Sequence, residues 1–176
     1  GRPMSCIGNN MSYRKSAYEE VGGYEGLKFS VTEDYRLLMA INDLKKYKTI
    51  YPIDKDSLVT SKACDSVKEL YHQKKRWSVG GLDSESTGIA LITVSFLTNL
   101  MMILSLFFFS SKVIPIIGFK LIIDYFYVAP VHQKLGLKLK VGRFLLFELY
   151  YSLYVVAMPI ILLFTRKVVW KGREYV

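Results

Sequence analysis

The sequence is poor in cysteine, in histidine and, over its second half, in acidic residues. Its two cysteines, Cys6 and Cys64, are too few and too far apart to frame a disulfide scaffold or a zinc site, and both fall in the polar half, which fits a reducing compartment. His72 and His132 have no ligand-type residues beside them and read as surface side chains. The opening "GRPMSCIGNN" has neither a charged n-region nor an apolar h-region, so it is no signal peptide. We expect residues 1–176 to be the C-terminal part of a longer protein. "DKD" (Asp54 to Asp56) reads as a polar turn between short strands.

The shortage of acid is local. Residues 1–86 carry 14 Lys+Arg against 12 Asp+Glu, whereas residues 87–176 carry 10 against 3. The excess positive charge therefore flanks long apolar runs, a placement that suits anionic lipid headgroups. Nucleic acid is excluded as a partner, because a binder of that class gathers Lys and Arg on its soluble face.

What is present divides the chain in two. Residues 1–86 read as a small soluble domain and residues 87–176 as a membrane region with a basic tail. The runs 88–109 and 144–164 are long enough to cross a hydrocarbon core of about 30 Å at about 1.5 Å per residue. The run 113–131 carries Lys120 and Asp124. An ionised side chain at mid-bilayer costs about 2.5–3.5 kcal/mol on insertion scales. Four residues apart, the two share a face and can pair, so this run either spans with its charges facing protein or lies in the interface. The segments 132–143 and 165–175 are both basic, and the positive-inside rule asks for both in the cytosol, which one crossing at 144–164 does not allow.

Within the soluble part, residues 4–13 read as a strand or loop entry, and "SAYEEVGGY" as a short helix from Ser16 stopped by Gly22 and Gly23. A helix is expected from Thr32, as its cap, to about Tyr47, with Leu37, Leu38, Ile41 and Leu44 as its apolar stripe and Lys45 and Lys46 at its end. "YKTIYPI" (47–53) and "DSLVTS" (56–61) suggest two short strands around Pro52. A further helix is expected over 65–80, opened by a capping box of Ser66 and Glu69 and closed by Gly80 and Gly81.

Two constellations carry possible chemistry. Glu33 and Asp34 stand side by side at the start of a helix. The plain reading is a pair of helix-start acids, worth about 0.3–1 kcal/mol against the dipole. The functional reading is a general base aimed at a hydroxyl, worth about 10²–10⁴-fold in rate. In "QKKRW" (73–77), Gln73, Arg76 and Trp77 fall on one helical face. An indole can stack on a sugar, a guanidinium can grip phosphate oxygens and an amide can bond hydroxyls. The plain reading is a basic amphipathic helix on the membrane surface, with Trp77 as its anchor.

Taken together and in order, these pieces resemble the membrane-bound family-2 glycosyltransferases, the group that includes cellulose, chitin and hyaluronan synthases and ceramide glucosyltransferase. "GNNMSYRKSAYEEVGGYEG" (8–26) is similar to the family's Gly-containing strand, basic pair, short helix and Gly-Gly turn. "TED" (32–34) is similar to its base motif, "QKKRW" matches QxxRW, and "WKGREY" resembles a tail of many bacterial members. The resemblance implies the acceptor-side half of an α/β, GT-A-type (Rossmann-like) domain followed by two to three transmembrane helices. It implies Asp34 as base with Glu33 beside it, and Gln73 and Arg76 toward the donor diphosphate or the sugar. Trp77, Gly8, Asn9 and Asn10 fall on the acceptor side. The implied partners are a nucleotide-sugar donor, a lipid or glycan acceptor and membrane lipids. The implied cofactor is a divalent metal, Mg or Mn, whose ligands lie outside this chain. The setting is a bacterial inner membrane with the catalytic part cytosolic. One departure stands out: Ile7 occupies the position before Gly8 where the polysaccharide synthases tend to have Cys, and Cys6 is one residue early. The alternative class is a non-catalytic membrane anchor or scaffold subunit.

Overall fold

The computed structural model describes residues 2–107, 112–170 and 172–175. Two compact units form. The first takes Gly1–Tyr51, Val59–Ile89 and Thr165–Val176, the second Pro52–Leu58 and Ala90–Phe164.

In the first unit, a 3₁₀ turn at Gly8–Asn10 precedes α1 (Lys15–Glu20), α2 (Glu33–Asp43) and α3 (Val67–Gly81). Helix α1 stops where Gly22 and Gly23 take φ of 77° and 61°, the left-handed region that favours glycine. Ala17, Leu37 and Ile41 form the core between α1 and α2, with Met11, Tyr18, Val21, Leu27 and Tyr47 packed around them. Leu38 is buried as well. Helix α2 ends at Asp43 instead of running to Tyr47, and Lys45 beyond it turns to φ 55°. Lys46 pairs with Glu20, the last residue of α1, so its charge serves a link between elements. Ser66 caps α3 by accepting the Glu69 N–H, but the Glu69 carboxylate reaches back to the N–H of Asp65, so the expected box is half formed.

The expected α/β sheet does not form among the described residues. Residues 47–53 and 58–61 are irregular, and Asp54 to Ser57 make a reciprocally capped 3₁₀ turn. A strand needs a neighbour to take its N–H and C=O groups, and these segments have none. The strands that do form are β1 (Val168–Trp170) and β2 (Arg173–Tyr175), an antiparallel hairpin turned at Gly172, φ 75°. Strand β1 packs on α3, with Val168 buried, and the Tyr175 ring stacks on Phe29 at 5.2 Å between centroids.

The second unit contains α5 (Val113–Lys134), α6 (Val141–Phe164) and most of α4 (Ser86–Ser105). All three helices are long and apolar enough to cross a membrane. The expected span 88–109 ends with two residues, 108 and 109, outside the described ones. Helices α4 and α6 are joined by Ser95 and Tyr151 (Oγ to Oη 3.0 Å) and by the Ser152 hydroxyl donating to Asn99 Oδ1 at 2.7 Å. Lys120 on α5 pairs with Asp124 at 2.8 Å, as the spacing predicts, and also with buried Glu148 on α6. Its charge is thereby met by protein.

Candidate active site

The turn that enters α2 gathers Gly8, Glu33, Asp34 and Arg76 of the predicted residues. The Gly8 N–H donates to Asp34 Oδ2 at 2.8 Å, and the Tyr35 N–H donates to Oδ1 at 2.8 Å. Two backbone donors fix the carboxylate plane and leave each oxygen a further lone pair. A Cβ on Gly8 would lie 3.2 Å from Oδ2, a tight contact that would press on the carboxylate. Nearby, the Cys6 thiol is pushed up to about 12, chiefly by burial and then by the Asp34 charge. The side-chain amide of Asn9 bonds the Ser61 hydroxyl, and the Asn10 N–H donates to the Ile7 carbonyl at 3.0 Å. Gly8, Asn9 and Asn10 are all exposed.

Helix α3 holds this turn from its other side. Arg76 Nη1 donates to the Val31 carbonyl at 2.8 Å, three residues before Asp34. Gly80, one turn on, sits so close that a Cβ there would fall 2.2 Å from Thr32 Cγ2. Thr32 occupies the cap position but its side chain makes no capping bond; its Oγ1 lies 3.2 Å from Ser30 Oγ. Ser30 Oγ donates to Asp83 Oδ2 at 3.0 Å, and the other Asp83 oxygen pairs with Arg36 at 3.2 Å.

The Arg76 fork is thus engaged, at least in part, by the backbone of the carboxylate turn. Trp77 lies on the more exposed flank of α3, with Lys74 Nζ 4.3 Å above its ring, and Gln73 is half-buried. Sequence reasoning missed Ser30, Gly80 and Asp83. Helix α3 ends at Gly81, in line with the expected Gly80–Gly81 stop, but nothing local marks the contact of Gly80 with Thr32. His72 and His132, expected at the surface, are half-buried, each beside a neighbour on its own helix: the Tyr71 ring and the Val128 carbonyl. Among the described residues no three His, Cys, Asp or Glu side chains converge in a way that could hold a metal ion.

A carboxylate locked between two backbone donors, in a chain with helices apolar enough to cross a bilayer, defines a membrane protein with a candidate acid–base site. The family model described as glycosyl transferase family group 2 matches residues 1–165, and the chain belongs to that family. No curated protein and no solved structure matches it.

Proposed function

We propose that the protein transfers a hexose from a nucleotide-sugar donor to a lipid or polysaccharide acceptor at the membrane, with inversion at the anomeric carbon. The observation that carries this reading is the Asp34 carboxylate, oriented by the N–H groups of Gly8 and Tyr35. A free lone pair of Asp34 takes the proton of an acceptor hydroxyl as that oxygen attacks the anomeric carbon. The bond from that carbon to the diphosphate breaks, and the nucleoside diphosphate leaves with the electron pair. Glu33 flanks the base. Gly8, Asn9, Asn10 and Trp77 border the acceptor, and Gln73 and Arg76 face the donor.

In this reading the first unit is the acceptor-side half of a GT-A-type fold in a bacterial inner membrane, with the catalytic part cytosolic. In this reading a divalent Mg or Mn ion serves the donor half, and no step above runs through one. Its ligands, with the donor half, belong outside residues 1–176, which alone are expected to transfer nothing.

A second reading has its own observation. Trp77, 37 % exposed and capped by Lys74, suits an interfacial anchor on a non-catalytic subunit. Membranes carrying the full-length protein, given labelled nucleotide hexoses, separate the two. Transfer to a lipid or polymer fraction with an inverted anomeric centre is expected. Intact donors, with Trp77→Ala changing only membrane association, would favour the anchor.

A further inference from the structure

Residues 28–32 carry the chain into α2 without a helix or strand of their own. Backbone of that kind takes its position from the elements it is attached to. The Val31 carbonyl accepts from Arg76 of α3 at 2.8 Å, and the buried Ser30 donates to Asp83, just beyond α3, at 3.0 Å. A further attachment comes from the tail. The Phe29 ring stacks on Tyr175 of β2, with 5.2 Å between centroids and 20° between planes. Segment 28–32 is thus held from α3 on one side and, through Phe29, from a hairpin that follows the membrane region.

The hairpin can hold both elements at once. Val168 and Tyr175 stand directly opposite each other in its register. Side chains opposite each other on antiparallel strands share one face. On that face Val168 is buried, in the strand that packs on α3, and Tyr175 meets Phe29. A two-stranded hairpin is marginal in water by itself, so β1 and β2 owe their order to these contacts. The dependence is mutual. Phe29 is 67 % exposed, so the Tyr175 ring supplies much of the packing it has. The segment pinned in this way is the one that delivers Asp34 to the N–H groups of Gly8 and Tyr35.

We propose that Tyr175 is a positioning residue: through Phe29, the tail hairpin holds the turn that carries Asp34 against α3. The effect on rate rests on the sugar-transfer reading above, whereas the coupling of tail to turn does not. The turn is complete only when the chain has passed through α4, α5 and α6 and returned to α3. The base is therefore set in place by the same step that finishes the membrane region.

The test compares Tyr175→Ala, Tyr175→Phe and Phe29→Ala. Neither ring belongs to the core of Ala17, Leu37 and Ile41, so the fold survives their removal. Hydrogen exchange of the whole chain in detergent micelles reads the turn directly. Amides of residues 29–35 should exchange about fivefold faster in both alanine variants, while those of α6 stay at wild-type rates. The double alanine variant should be no faster than either single one, and Tyr175→Phe, which keeps the ring, should match wild type. In the full-length protein, kcat for transfer should fall about tenfold or more in the alanine variants at unchanged KM, and Tyr175→Phe should retain it. Wild-type exchange in Tyr175→Ala, or exchange in Tyr175→Phe as fast as in Tyr175→Ala, overturns the positioning role. Transfer that depends on Asp34 but ignores the loss of either ring also rejects it and leaves the transferase standing. Faster exchange in both alanine variants, with no transfer by the wild type, supports the coupling of tail to turn and rejects the transferase.

Discussion

Gly80→Ala tests whether α3 sets the position of the turn that carries the proposed base. The added Cβ would lie 2.2 Å from Thr32 Cγ2, 2.5 Å from Oγ1 and 2.9 Å from Cβ. Carbon atoms pack at about 3.5–4.0 Å, so Thr32 must retreat by more than about 1 Å. Overpacking of this kind costs about 1–3 kcal/mol, and the better helix propensity of alanine returns about 0.8–1 kcal/mol. Net destabilisation is therefore about 0–2 kcal/mol, a melting shift of a few degrees at this chain length. The chemistry should suffer far more. Asp34 is two residues beyond Thr32, and a misplacement of about 1 Å costs about 10²-fold in rate. The assay pairs a thermal melt in micelles with sugar transfer by the full-length protein. Transfer should fall about 100-fold while the fold survives, and adding Thr32→Ala, which removes the two closest atoms, should recover much of it. Transfer and melting both at wild-type values in Gly80→Ala would show that α3 does not seat against this turn.

Further expectations follow from the same turn and from the tail. Cys6, held near 12 against an ordinary 9.0, should be about 10⁻⁴ thiolate at pH 8 instead of about 10⁻¹, so iodoacetamide should label it about 10³-fold more slowly than a free thiol, and Asp34→Asn should speed it up. A raised folded value also means that stability is intact below pH 9 and is lost as pH climbs toward 12, because the unfolded thiol ionises first; a melt series across that range checks the sign. Arg76→Lys gives up the fork that reaches the buried Val31 carbonyl and should cost about 1–2 kcal/mol in a denaturation curve, with a drop in transfer. Because β1 packs on α3, both ends of the membrane region belong on one side of the bilayer, so an even number of the three apolar helices crosses fully. Lys68→Cys and Arg166→Cys, each in a Cys64→Ser background, should therefore react with an impermeant thiol reagent from the same face of sealed vesicles. Labelling from opposite faces would contradict the packing.

Much of the candidate site was legible, for local reasons. The acids at 33 and 34 mark the start of α2, and the stripe of Leu37, Leu38 and Ile41 marks its buried face. The i,i+4 spacing of Lys120 and Asp124 gave their pairing. Other features depend on contacts between distant segments, which periodicity does not encode. Glu148, 28 residues from Lys120, joined that pair unseen. Arg76 looked like a phosphate ligand because its chemistry allows it, and only the fold shows its bond to Val31, 45 residues earlier. The segments 47–53 and 56–61 have strand-like composition, yet propensity makes no sheet without a partner. The tail hairpin went unread although Gly172 offered the turn, because strands of three residues fall below what alternation can reveal.

The most direct test of the central claim is Asp34→Asn in the full-length protein, assayed for sugar transfer at saturating acceptor beside a thermal melt. Asn keeps the size of the side chain and an oxygen for the Gly8 N–H but cannot take a proton from an acceptor hydroxyl. The account predicts a folded protein whose kcat is lower by about 10²–10⁴-fold. A folded Asp34→Asn protein with wild-type kcat would contradict it, because the carboxylate at the start of α2 would then be no base.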